Sequence, residues 1–262
     1  MKGSRFGQIW HNRAPIILMV IGVLCLVVAL VIAGFKVFEY LDASGRYQQI
    51  EELAGIDTDT QQSIKVIEEE LLGLDVDWEA LRAINPDVVA WIVIPETKIN
   101  YPIVQADDNE YYLDHLFDRS SSKVGAIFLD VDSSVLLDGK NNIIYGHNMN
   151  DGSMFADITR YVDSDFFDKH RTIYIATPNM NYELQAEFAF VCDAGAEIAQ
   201  FDFADHEQFS SFVTGFLAEA SVSRVEDVNQ IDQLFCLATC SYQYYDARTI
   251  LCASVVKSYE PT

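Results

Sequence analysis

The 262-residue chain carries 17 basic and 40 acidic residues, a formal net charge of −23. Lys2, Arg5 and Arg13 all precede the first acid, Glu39, so the remainder holds 14 basic against 40 acidic residues. A body this acidic repels polyphosphate, which argues against a nucleic-acid partner and leaves solubility, or attraction of an amine-bearing partner, as the role of the charge. The length suffices for one full-sized domain with appendages.

Pro15 to Phe35 contains no charged residue. About 20 apolar residues cross a bilayer as a helix, and the basic flank lies on the N-terminal side, which by the positive-inside rule keeps the N-terminus in the cytoplasm. A cleaved signal peptide has the same polarity. The apolar run is long for a signal core, however, and Lys36-Val37-Phe38-Glu39 follows it in place of a small-x-small cleavage site. The sequence therefore divides into a cytoplasmic N-terminus (1–13), a transmembrane anchor (14–38), a helical stalk (39–74) and an extracellular domain (75–262). The stalk expectation rests on Ile50, Leu53 and Ile56, then Ile64, Ile67, Leu71 and Leu72, at helical spacings.

Beyond the stalk, Asp77 to Ile84 reads as a short helix stopped by Asn85-Pro86. Val88 to Ile94 alternates as a strand, and Thr97 to Gln105 is a second extended segment. Asn109 to Phe117 is a helical turn, while Gly125 to Asp130 and Asn141 to Tyr145 are apolar strands. A turn at Asn150-Asp151-Gly152-Ser153 precedes a short helix over Met154 to Tyr161. Thr172 to Thr177 and Tyr182 to Cys192 are strands. Asp205 to Ala220 is a helix that Asp205 can cap, with Phe209, Phe212, Val213, Phe216 and Leu217 on one face. Short strands with a few inserted helices favour a closed or nearly closed β-barrel.

The chemistry concentrates between Leu234 and Val256. Two apolar runs, ending at Cys240 and beginning at Arg248, read as paired strands with both residues at one end. A thiol attacks only as thiolate, which a cationic neighbour favours. A register that sets Cys240 opposite Arg248 also sets Cys236 opposite Cys252, making these two buried neighbours and candidates for a disulfide. Cys236 and Cys240, four residues apart in one strand and so about 13 Å from each other, cannot bridge. The five cysteines (Cys25, Cys192, Cys236, Cys240 and Cys252) form neither a dense disulfide framework nor a Cys-x-x-Cys zinc spacing. Of the five histidines, His11 precedes the anchor, and His115, His170 and His206 read as surface residues. His147 ends the strand Asn142 to Gly146, a position like that of Cys240.

Tyr145-Gly146-His147-Asn148-Met149 with Asp151-Gly152-Ser153-Met154-Phe155, then Leu237-Ala238-Thr239-Cys240, then Arg248, resembles the class B sortases, membrane-anchored cysteine transpeptidases of Gram-positive cell surfaces. The likeness extends over Asp77 to Val256 and takes in Ala90-Trp91-Ile92, Tyr101-Pro102-Ile103-Val104-Gln105, Asn109-Glu-Tyr-Tyr-Leu113 and Gly125-Ala-Ile-Phe-Leu-Asp130. It implies an eight-stranded β-barrel with inserted helices. It also implies that Cys240 forms a thioester with the carbonyl after a threonine in a sorting signal, that His147 is the acid and base, and that Arg248 holds the oxyanion. Asn109, Leu113, Tyr145 and Thr239 match substrate-groove positions, with Ser241 a weaker match. Neither metal nor cofactor is implied. Implied partners are sorting-signal-bearing surface proteins or pilins and an amine nucleophile of a peptidoglycan precursor or a pilin lysine. The chain departs from the family where it has Ala238 in place of a frequent serine and Cys236 in place of a threonine. A hydrolytic cysteine peptidase with the same three residues, and a non-catalytic surface binding module that kept the barrel, are the alternatives.

Overall fold

The computed structural model describes residues 5–56, 76–193, 198–241 and 247–261, without the side chains of 5–17, Cys240 and Ser241. The chain falls into two compact units, residues 1–45 and 46–262. In the first, α1 (Arg5–Leu53) exposes Leu18, Leu24, Ile32 and Phe35 among other apolar side chains. Its most apolar window has a mean hydropathy of 3.1 and is unburied, so this helix is long and apolar enough to cross a bilayer.

In the second unit, the last turns of α1 bury Tyr47 and Ile50 on one helical face, and Ala54 and Ile56 follow them into the core. Arg46 Nη1 reaches Asp118 Oδ2 at 2.6 Å. This part of the expected stalk is therefore packed on the body; Leu53, expected on the apolar face, is exposed. The rest of the stalk, with Ile64, Ile67, Leu71 and Leu72, lies outside the described residues. Next comes α2 (Trp78–Ile84), capped by Asp77, whose side chain accepts from Ala80 N. It ends at Asn85, which is fully buried and donates to Tyr112 Oη and Phe117 O.

The strands are β1 (Val88–Val93), β2 (Asn100–Val104), β3 (Ile127–Leu129), β4 (Asn141–Tyr145), β5 (Thr172–Ala176), β6 (Asn181–Asp193), β7 (Ala220–Ser223), β8 (Leu234–Ser241) and β9 (Ala247–Tyr259). Their order is β5-β1-β2-β3-β4-β8-β9-β6, and β6 pairs back onto β5 to close an eight-stranded barrel. Closure removes the sheet edges that would otherwise invite pairing with other chains. β7 is an outlier paired to Phe188–Phe190 of β6. The pairs β2–β3 and β4–β8 are parallel and the others antiparallel.

All six residues of β1 are buried, so its alternation separates two covered faces and not a wet face from a dry one. Trp91 is inaccessible, and its Nε1–H finds Asn100 Oδ1 at 2.7 Å. Between β4 and β5 lie a 3₁₀ segment (Ala156–Val162), where the sequence predicts a helix, and α3 (Ser164–Lys169), which it does not foresee although Asp163 caps it. α4 (His206–Leu217) is capped by Asp205, as expected. Its Phe209 and Val213 are fully buried against Phe188, Phe190, Leu234, Cys236, Ile250 and Cys252, with Phe212, Phe216 and Leu217 at the margin of the cluster. Each such side chain contributes about 1.5–3 kcal/mol of burial. The helix stops three residues earlier than expected because Ala220 joins β7. His170, expected at the surface, is buried: its Nδ1 bonds to Phe166 O and its ring stacks on Phe166.

Candidate active site

The site is built on β8. Its antiparallel register with β9 pairs Cys236 with Cys252 and Cys240 with Arg248, as expected. Its parallel register with β4 pairs Asn141 with Leu234 and runs to Tyr145 with Ala238, after which Gly146 N still donates to Ala238 O at 3.1 Å. Carrying that register two residues further brings His147 level with Cys240. Two different pairings of one strand thus bring the backbones of His147, Cys240 and Arg248 to one rim of the barrel. The Cys240 side chain, Ser241 side chain and the segment 242–246 lie outside the described residues.

A cavity of about 250 Å³ opens at this rim, lined by Asn109, Leu113, Phe128, Tyr145, Gly146, His147, Ala238, Thr239 and Arg248. The four groove residues named from sequence are all in its wall, together with His147 and Arg248. Phe128 and Gly146, within the Gly125–Asp130 and Tyr145–Met149 motifs, also line it, although the sequence does not mark them as site residues. Phe128 is the antiparallel partner of Tyr145, and their rings stand 5.3 Å apart. Gly146 is small of necessity: a Cβ there would come within 2.8 Å of the buried Phe155 ring.

Asn109 and Tyr145 share a hidden anchor. Asp130, 2% exposed, accepts from Tyr145 Oη at 2.9 Å and from Asn109 Nδ2 at 3.1 Å on the same Oδ2. Its Oδ1 accepts from Asp132 N, and Asn109 Oδ1 accepts from Val131 N. Burial, and next the Asp130 carboxylate, push the Tyr145 phenol far up, while the Arg248 guanidinium opposes them; the phenol stays protonated and donates. Thr239 is buried, and its Oγ1 has no hydrogen-bond partner among the described residues.

His147 is oriented by backbone. Its Nε2 lies 2.7 Å from Leu113 O. A carbonyl only accepts, so Nε2 carries a proton and Nδ1 is left as the nitrogen that can gain or lose one. Gly125 seats the ring. It has φ +66°, and a Cβ would lie 2.8 Å from His147 Cδ2 and 2.7 Å from Tyr112 O. On the far side the chain after His147 folds back, with Phe155 N donating to His147 O at 2.9 Å and Asn148 bridged to Met154.

The other thiols are unlike a nucleophile. Cys236 and Cys252 are buried free thiols with Sγ atoms 3.0 Å apart, so the register expectation holds while the disulfide is not formed. Burial, then the neighbouring Cys236 sulfur, push the Cys252 thiol up and keep it neutral. Burial also raises Cys192, against the pull of Arg248. Among the described residues no group of His, Cys, Asp and Glu could hold a metal ion.

A closed barrel of this topology, with a groove at the rim where the ends of β4, β8 and β9 meet, is the fold of a class of cysteine transpeptidases: the chain belongs to the sortase family, in its class B branch. The sortase domain matches residues 92–256. Sortase B of Listeria monocytogenes is 32% identical over 178 residues, covering 67% of this chain and 72% of the relative. Sortase B of Staphylococcus aureus is 26% identical over 236 residues, covering 88% of this chain and 94% of the relative. Among solved structures, a Staphylococcus aureus sortase B–substrate complex superposes with a TM-score of 0.71 at 25% identity, covering 84% of this chain and 99% of that one.

Proposed function

We propose that the protein is a membrane-anchored transpeptidase, with its N-terminus cytoplasmic and its barrel extracellular, in which Cys240, His147 and Arg248 carry the reaction. The Cys240 thiolate attacks the carbonyl carbon after a threonine in a sorting signal, forming a C–S bond. As the C–N bond breaks, imidazolium His147 gives its Nδ1 proton to the leaving amine, and a thioester remains. Arg248 donates charge-assisted hydrogen bonds to the oxyanion that appears in both half-reactions. The amine of a peptidoglycan precursor or of a pilin lysine then attacks the thioester. His147 takes its proton, the new amide forms and the thiolate is regenerated.

Asn109, Leu113, Tyr145 and Thr239 bind the sorting signal in the groove. The Thr239 hydroxyl is suited to a polar group of the substrate, because burying it unpaired is costly. The acidic body suits an amine-bearing acceptor, since it attracts cations to the surface around the site.

The observation that most supports this reading is the convergence of two strand registers on Cys240, one from Arg248 and one from His147. Incubating the full chain in detergent with threonine-bearing sorting-signal peptides and a primary amine tests it. The expected product carries the amine in a new amide bond, detected by mass. Cleavage that proceeds with only the free acid as product, at saturating amine, would identify a hydrolase.

A further inference from the structure

We propose that Tyr47, in the last turns of α1, is a positioning residue for the imidazole of His147; this rests on the reading of His147 as the acid and base. His147 has two backbone supports, and Tyr47 braces both. The first is the turn at Gly125, whose Cα is the seat of the imidazole and whose neighbours Tyr112 and Leu113 supply the adjacent carbonyls. Tyr47 Oη donates to Gly125 O at 2.9 Å, a buried hydrogen bond between residues 78 apart in sequence. The turn is also held by Gly125 N to Ser122 O, Ala126 N to Tyr112 O and Val124 N to Ser122 Oγ. Leu113 O, the acceptor for His147 Nε2, therefore sits on a segment that Tyr47 pins from outside the barrel motifs.

The second support is the return of the chain after His147. The Tyr47 ring meets Tyr101 edge-on at 5.3 Å between centroids. Tyr101 Oη accepts from Met154 N at 3.1 Å, and Met154 is the bridge partner of Asn148. Next door, Phe155 N holds His147 O. Tyr47 is 6% exposed, so its hydroxyl makes this bond away from competing water. One side chain from α1 thus touches the seat of the ring and the anchor of its loop. Arg46 secures the same helical turn by bonding Asp118 Oδ2 at 2.6 Å and Ser120 Oγ at 3.3 Å.

Tyr47→Phe removes the hydroxyl and keeps the ring, so packing on Tyr101 survives. In the full chain in detergent, kcat for peptide cleavage should fall about tenfold with KM unchanged, because misplacement by a fraction of an ångström weakens proton transfer without emptying the groove. The spectroscopic signature is independent of activity. In ¹⁵N-histidine-labelled protein at a pH where the ring is neutral, His147 should move from a fixed Nε2–H tautomer toward averaged nitrogen shifts, whereas Tyr40→Phe should leave it fixed. Unchanged His147 shifts in Tyr47→Phe would overturn the proposal, as would a fall in kcat matched by loss of folded protein. If His147→Ala retains full activity, the acid–base reading fails, while the tautomer measurement still decides the positional one.

Discussion

Cys240→Ala is expected to abolish sorting-peptide cleavage, by on the order of 10⁴-fold or more, because in the proposed mechanism the residue supplies the bond-forming atom and not merely an orientation. No other thiol can substitute. Cys236 and Cys252 are sealed in the core with Cys252 held neutral. Cys192 is half-buried on β6, one strand beyond β9, with its thiol pushed up by burial, and Cys25 lies on the apolar helix. The substitution leaves a β-strand residue that Ala can occupy, so the melting temperature should stay within a few degrees. Residual cleavage at more than about a hundredth of the wild-type rate, in protein shown to be folded, would place the nucleophile elsewhere.

Gly125→Ala should be severely damaging, although it adds a single methyl group. The backbone there has φ +66°, which costs a non-glycine residue about 1 kcal/mol or more. The added Cβ would also lie 2.7 Å from Tyr112 O and 2.9 Å from Leu113 O, backbone atoms that cannot rotate away. Overpacking of this kind costs about 1–3 kcal/mol. A combined loss of about 3 kcal/mol lowers the melting temperature of a body this size by roughly 6–12 °C. The third close atom is His147 Cδ2 at 2.8 Å, so the imidazole is displaced and cleavage should fall by about 100-fold in the fraction that remains folded. Gly215→Ala is the matched control: nothing lies within 4 Å of its Cβ, and on the exposed face of α4 it should gain up to about 1 kcal/mol. Equal melting temperatures for the two variants would remove the steric argument.

How far the sequence reveals this architecture depends on whether a residue acts through local pattern or through tertiary contact. The Cys240–Arg248 pairing was readable because two apolar runs flank a short break, and in a hairpin one pair fixes all the others; Cys236–Cys252 follows from the same register. His147 was readable as a strand end next to a turn. The four groove residues came only from resemblance, since nothing in their local spacing separates groove from packing. The role of Asp130 is not legible because it is to hold Tyr145 and Asn109, 15 and 21 residues distant.

The end of α1 departs from the expected stalk for a related reason. The spacing of Ile50 and Ile56 predicts the apolar stripe of a stalk, yet the buried residues include Tyr47 and Ala54, whose value lies in what they touch. β7 is not legible because Ala-Ser-Val-Ser is short, with one strong β-former, and becomes a strand only by pairing with β6. His170 is buried because its ring covers Phe166 one turn away, a contact that a polar setting in sequence conceals.

The most direct test of the cysteine transpeptidase mechanism is to trap the acyl-enzyme. The full chain, incubated with threonine-bearing sorting-signal peptides and quenched in acid, should carry the peptide fragment as a thioester that maps to Cys240, is released by hydroxylamine and is consumed when a primary amine is added. Cleavage without any such adduct in rapid-quench samples, or an adduct mapped to another residue, would contradict it.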